Sequence, residues 1–446
     1  MVGLLGLLVV GVGGLAASSL GWQPWSGERQ PLADTPVQSR PSLMVAPFED
    51  LSSEPGDHFA DGVAQEVLSN LIRFKEFVVF DARASLEPAQ TDPLDFGRRL
   101  DADYVVTGTV RRDAGRVRVS SQLVKLATGA SIWAANYDEE LAVDRLFEIQ
   151  DGIAASVAAT VAQPYGVVYR DARDQLQRHP PESLSAYECL LQAYAYRRRI
   201  ASEAHATVRS CLEEAVIGEP DYADAMAMLA MVYVDEFRFG FNLRQDRYAP
   251  LDKAFELAQR AADIAPDNAL AWLALFEAHF FRGQLDRAFS AGEQAIALNP
   301  NAAEPRALVG LRLAHSGQWE RGIGLVEEAL KMNPAPPPWY YFPLSMDAFR
   351  QGHDDAALRW AERIDLPGFF WTQALLAAIY SQLDRREDAV RAAARLLELY
   401  PDFEDRALIE LGRQHFEPAV LNRFINGLRK AGLEVPAPTG TARKLG

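Results

Sequence analysis

Glu49, Asp50, Asp57, His58 and Asp61 crowd into one short stretch and are the residues most suited to chemistry. Carboxylates beside an imidazole could hold a metal ion or do acid–base work. The same stretch reads as a strand-to-helix loop in which Asp57 caps the next helix, and that reading is preferred here. No GxGxxG, GxxxxGK(S/T), HExxH or GxSxG pattern occurs, and Gly62 is a lone glycine rather than part of a phosphate loop. His58, His179, His205, His279, His315, His353 and His415 are scattered. His279 falls at a helix-packing position, where a satisfied core histidine is expected rather than a ligand. The expectation is a chain with no catalytic residues, no cofactor and no metal site.

Hydrophobic residues make up 49% and charged residues 24% of the 446, an ordinary balance with large cores. The length suggests two or three domains. A net charge of −16 argues against nucleic acid as a partner, since phosphate binding rests on lysine and arginine. The two cysteines, Cys189 and Cys211, exclude a disulfide-dense scaffold and cysteine-rich zinc sites. Free buried thiols are the first expectation for them, although an oxidising compartment permits a bridge.

The elements that must position any site repeat along the chain. Pro220, Pro266, Pro300, Pro334, Pro367 and Pro401 close successive units at intervals of 46, 34, 34, 33 and 34 residues. Each unit reads as two helices and a turn. In the unit ending at Pro300, Trp272 and Leu275 supply large apolar contacts, and Ala288 and Ala295 let the helices approach closely. Gly310 and Ala329, then Leu376 and Ala389, fill matching positions in later units. The 46-residue interval holds one unit with an aromatic insertion, roughly Phe237 to Pro250. With these residues and this period, 183–432 resembles the tetratricopeptide (TPR) family, about six units forming an all-α solenoid.

Ahead of the repeats, Met1 to Gly21 carries no charged side chain and is followed by Trp22 and Trp25. Residues 1–22 read as a transmembrane helix or signal anchor, with a cleaved signal peptide as the alternative. The proline-rich stretch 23–41 reads as a linker. Residues 42–164 read as a small α+β domain in the order βαβαβββα. Val117, Val119 and Leu123 alternate with Arg116, Arg118 and Gln122, so one face of that strand should be wet. Residues 433–446 read as a disordered tail. The fold class is thus multidomain, with a membrane helix, a small α+β domain and a helical solenoid.

The words PSLMVAPFEDLSSEPGDHFADGVAQEVLSNL, DADYVVTGTVRRDAGRVRVSSQLVKLATGASIWAANYD and LFEIQDGIAASVA resemble the TolB-amino-terminal-like domain of proteobacterial membrane receptors. The resemblance implies an extracytoplasmic domain between a membrane helix and tetratricopeptide repeats. It also implies a cytoplasmic effector ahead of the helix, a CadC-type winged-helix domain or a class III nucleotide cyclase. This chain departs from that plan by beginning at the membrane helix.

The expected function is a non-enzymatic, membrane-anchored periplasmic scaffold or sensor in the inner membrane, holding a protein or peptide partner in the repeat groove. The alternative is the sensory region of a receptor whose effector is missing. Helix doublets such as Phe280–Phe281 cannot bury both members easily, because neighbouring positions face different directions. Phe281, Tyr341 and Phe370 from such doublets, with Phe237, Phe239, Phe241 and Tyr248 of the aromatic insertion, are therefore the candidate partner-binding residues. Arg197, Arg198 and Arg199 read as a solvated turn.

Overall fold

A computed structural model describes residues 40–52, 58–81, 92–113, 115–141, 145–178, 185–242, 248–333 and 336–436. The expected membrane segment, the linker to residue 39, Asp57, His179 and residues 437–446 lie outside the described residues. Among the described residues, no helix is long and apolar enough to cross a membrane.

The strand β1, Ser42–Val45, is buried along its length and pairs in parallel with β3, Val78–Asp81, and β4, Tyr104–Asp113. A two-residue strand β2, Glu49–Asp50, also runs beside β4. Antiparallel pairing then adds β5, Arg116–Lys125, and β6, Ala130–Glu140, giving the order β3-β1-β4-β5-β6. Gly115 has φ +79° in the β4–β5 turn, a conformation that glycine adopts without strain. The expected alternation holds: Val117, Val119 and Leu123 are buried, while Arg118 faces out and pairs with Asp138 at 2.7 Å.

Helices cover both faces of the sheet. Helix α2, Pro93–Arg99, buries Phe96 against Met44, Val105 and Leu126 on one side. Helices α1, Phe59–Leu71, and α3, Leu146–Ala162, cover the other. A Cβ on Gly62 would come within 2.2 Å of Gln150 Nε2, so glycine is what lets α1 and α3 approach. A helix not anticipated from the sequence, α4 (Val167–Arg178), follows. Its Asp171 accepts hydrogen bonds from Tyr104 Oη and Lys125 Nζ, both at 2.7 Å, tying it to the sheet.

Among the described residues, seven helix pairs come next: α5 (Ala186–Arg199) with α6 (Ser202–Gly218), α7 (Ala223–Phe239) with α8 (Ala249–Ile264), α9 (Ala269–Phe281) with α10 (Leu285–Leu298), α11 (Ala303–His315) with α12 (Trp319–Met332), α13 (Phe342–Arg350) with α14 (Asp354–Ala361), α15 (Phe370–Gln382) with α16 (Arg386–Leu399), and α17 (Phe403–Arg413) with α18 (Pro418–Lys430). The last pair exceeds the six expected units and breaks the pattern. Its α18 folds back on α15, where Ser381 Oγ donates to Gly427 O at 2.7 Å. The expected tail is corrected at its start, since Leu433 and Val435 are buried.

Ala288, Ala295, Ala329 and Ala389 are all buried, and a Cβ on Gly310 would meet Gly322 O at 2.5 Å. Leu275 is buried as well, whereas Trp272 and Leu376 are half-buried, with the Trp272 indole N–H donating to Pro266 O at 2.8 Å. The expectation of free thiols is corrected: Cys189 and Cys211 are bridged across α5 and α6, their Cα atoms 5.5 Å apart.

The sheet side and the repeats share one continuous apolar core. Polar contacts seal their junction: Lys75 pairs with Asp267 at 2.8 Å, and Asn301 Nδ2 donates to Asn70 Oδ1 at 2.8 Å. Tyr194 Oη donates to Glu76 at 3.4 Å.

Candidate functional site

Among the described residues of the acidic stretch, Asp50 and the His58–Asp61 pair engage different partners. Burial would raise the Asp50 carboxyl, but Ser52 and then Arg112, at 2.8 Å, outweigh it and hold it below the usual range. His58 and Asp61 contact each other at 3.3 Å on open surface. His58 sits at the N-cap of α1 with φ 56° and makes no side-chain cap. Among the described residues, no group of three or more His, Cys, Asp or Glu is placed to hold a metal ion.

The predicted partner-binding aromatics are mostly interior. Phe237, Phe239, Phe281 and Phe370 are buried, Phe241 and Tyr341 are half-buried, and only Tyr248 among them stands exposed, at 55%. The helix α7 runs through Phe239, so the expected insertion begins later, and residues 243–247 lie outside the described set. Phe239 packs edge-on against Phe369 at 5.1 Å and against Phe370 at 6.3 Å. The array therefore curls until its second pair touches its sixth. Tyr341 stacks on Trp360 at 6.0 Å.

What the curl encloses is a buried face built on charge. Arg312 on α11 donates to both oxygens of Glu277 on α9, each at 2.9 Å. Arg197 lies 3.5 Å from Asp235 on α7 and 3.4 Å from Glu304 on α11. Arg238 lies 3.3 Å from Asp235 and 3.6 Å from Glu277. The reading of Arg197 as a solvated residue is thus corrected; it is 7% exposed. Arginine suits such a place, because its planar fork serves several carboxylates at once.

Burial would raise Glu277, but Arg312 keeps it below the usual carboxylate range. Burial raises Glu304 despite Arg197. Burial and then Arg312 bring Arg238 down to about 10. Burial and then Arg312 lower His315 well below its ordinary value, which leaves its ring neutral at pH 7. His279 is buried and bonded to Gln284 at 2.6 Å, as expected for a core histidine.

The face is closed by the chain's own segment 413–417. Arg413 donates to Phe237 O at 2.9 Å and covers the Phe237 ring at 4.5 Å. Arg312 donates to Gln414 Oε1 at 3.3 Å, and His415 stands edge-on to Phe280 at 4.9 Å. Phe416 lies 4.5 Å from His315, and the Trp319 indole donates to Glu417 at 2.9 Å. The segment thus crosses the ends of α7, α9 and α11. A small cavity remains beneath it, with Arg197, Arg238, His315 and Trp371 among its walls.

Sequence reasoning did not find Asp235, Arg238, Glu277, Glu304, Arg312 or Gln414. The available signal was a charge inside an otherwise apolar run, as Glu277 is in ALAWLALFEAHFF. Such a charge is buried, and must find a partner.

No family model matches the chain. It is similar to "Putative adenylate cyclase 3" of Rhizobium meliloti (strain 1021), 27% identical over 251 residues, which is 54% of this chain and 41% of that protein. The chain therefore spans less than half the length of this relative. Among solved structures, pilF of Pseudomonas aeruginosa is similar over 52% of this chain and 94% of its own, at 17% identity and TM-score 0.34. TolB from Acinetobacter baumannii is similar over 26% of this chain and 27% of its own, at 17% identity and TM-score 0.20.

Proposed function

We propose that this chain is a non-catalytic sensory scaffold that takes a protein or peptide partner on its helical array. The observation that carries the reading is the seating of residues 413–417. The ends of α7, α9 and α11 hold this irregular stretch through a backbone carbonyl, a buried arginine and aromatic rings. A peptide partner would be held by the same kind of contacts, so the segment stands as the occupant that a partner displaces. Stacked helix pairs offer concave surfaces of this type.

Anchoring through residues 1–22 and a periplasmic position for the rest belong to the same proposal. The uncharged first segment, the receptor-like domain order and a disulfide suited to an oxidising compartment support it. The likeness to the Rhizobium protein favours a second reading, in which the chain is the sensory region of a cyclase-linked receptor.

The test uses a labelled peptide with the sequence of residues 411–420. Arg413→Ala with Glu417→Ala loosens the resident segment, so the doubly substituted chain should bind the peptide while the unaltered chain does not. Absence of binding to either would remove this face as a peptide site. Cyclase assays of the purified chain should show no turnover of ATP.

A further inference from the structure

We infer that the cavity beneath residues 414–416 is a binding site for a short-chain organic carboxylate. This goes beyond the partner-binding reading, and either can fail without the other. The cavity measures about 50 Å³. One water needs roughly 10–15 Å³, so the space suits a molecule of only a few non-hydrogen atoms.

Five side chains in the cavity wall leave buried polar atoms without a hydrogen-bond partner: Nε of Arg197, Nε of Arg238, both ring nitrogens of His315, Nε1 of Trp371 and Nε2 of Gln414. Arg197, His315, Trp371 and Gln414 are each less than a tenth exposed. Buried polar atoms left unpaired are costly, and such a concentration around one space is unusual. The arginine, indole and amide nitrogens are all donors, and a neutral imidazole adds one donor and one acceptor.

Donors therefore far outnumber acceptors. A water molecule brings two donors with its acceptor sites and cannot correct the imbalance. A carboxylate brings acceptors alone, about four of them. Arg197, Arg238 and Arg312 are answered by Asp235, Glu277 and Glu304, so what draws a carboxylate here is the open donors rather than net charge. An amine brings donors to a space whose open positions are almost all donors already. The rest of the wall holds Asp235 and Arg312, each already in an ion pair, and apolar residues, with Leu308, Phe342 and Ile364 available to an alkyl chain. Gln414 and Phe416 belong to the closing segment, so a ligand here would touch both the segment and the repeats it covers.

Propionate is the probe. The purified full chain is titrated with sodium propionate by calorimetry and thermal shift at fixed ionic strength, alongside propionamide, propylamine and sodium chloride. Propionate should bind saturably and raise the melting temperature, and the other three should not. His315→Phe keeps the ring volume and removes the unpaired nitrogens, so the ligand-free protein should melt no lower than the original. Its affinity for propionate should fall about tenfold, as expected for losing a hydrogen bond to a charged group. Trp371→Phe should weaken binding similarly, and it supplies the same test should His315→Phe fail to fold. The site is overturned if propionate gives no saturable signal, as with water filling alone. It is equally overturned if chloride or propionamide binds as well as propionate, or if the folded variants bind propionate like the original protein.

Discussion

Arg312 grips both carboxylate oxygens of Glu277, and solvent reaches neither side chain. A two-pronged pair of this kind is strong only while both partners remain, because either alone is an uncompensated buried charge. Glu277→Gln should therefore destabilise the protein by roughly 3–5 kcal/mol. Replacing both residues, Glu277→Leu with Arg312→Met, should cost less than the single change. Urea denaturation of the three variants measures the difference, and equal losses would show that the pair is not what holds the face.

The contact between α11 and α12 is made backbone to backbone. Gly310→Ala places a methyl within 2.5 Å of Gly322 O, an atom that cannot rotate away. Overpacking of this type costs about 1–3 kcal/mol. Thermal melting should fall accordingly, whereas Gly324→Ala, with open space around it, should not lower it.

The junction between sheet and repeats should respond to pH through Glu76. Burial, then the neighbouring Asp224, push its carboxyl up from 4.5 to about 8. A raised acid means that the folded state holds a proton the unfolded state has already released. Stability should therefore fall as pH rises from about 4.5 to about 8 and level off above that. Denaturation midpoints across this range check the slope, which Glu76→Gln should flatten.

The Cys189–Cys211 bridge closes a loop with a separation of 22 residues. Loops of this size contribute about 2–4 kcal/mol when cross-linked. Melting in the presence of a strong reductant should begin at a lower temperature, and Cys189→Ala with Cys211→Ala should show the same loss without reductant. No change in either would mean that α5 and α6 hold together by packing alone.

The repeats were legible because Ala288, Ala295 and Gly310 recur where helices must touch, and nothing long-range is needed to see that. The α+β domain was legible through alternation such as Val117, Val119 and Leu123. The charged interior was half legible. Glu277 and Arg312 are 35 residues apart, about one repeat, so each sits at the matching place on successive first helices. A charge within an apolar helix, answered one period later by its opposite, is a readable sign of a buried pair. Gln414 was not legible, because α18 abandons the period and returns to α15. The aromatics misled for the same reason: Phe239 and Phe370 appear surplus until the curl brings them together.

That curl changes what kind of object the array is. In an open stack each unit answers only to its neighbours, and stability accumulates unit by unit. Here Arg413 reaches Phe237 across 176 residues, and Phe239 meets the start of α15. Such a ring cannot fray from one end: loosening α17 withdraws support from α7, and loosening α7 exposes α15. Unfolding should then be a single cooperative event rather than a stepwise peeling. Folding should be slow for a helical protein, because its closing contacts join distant parts of the chain.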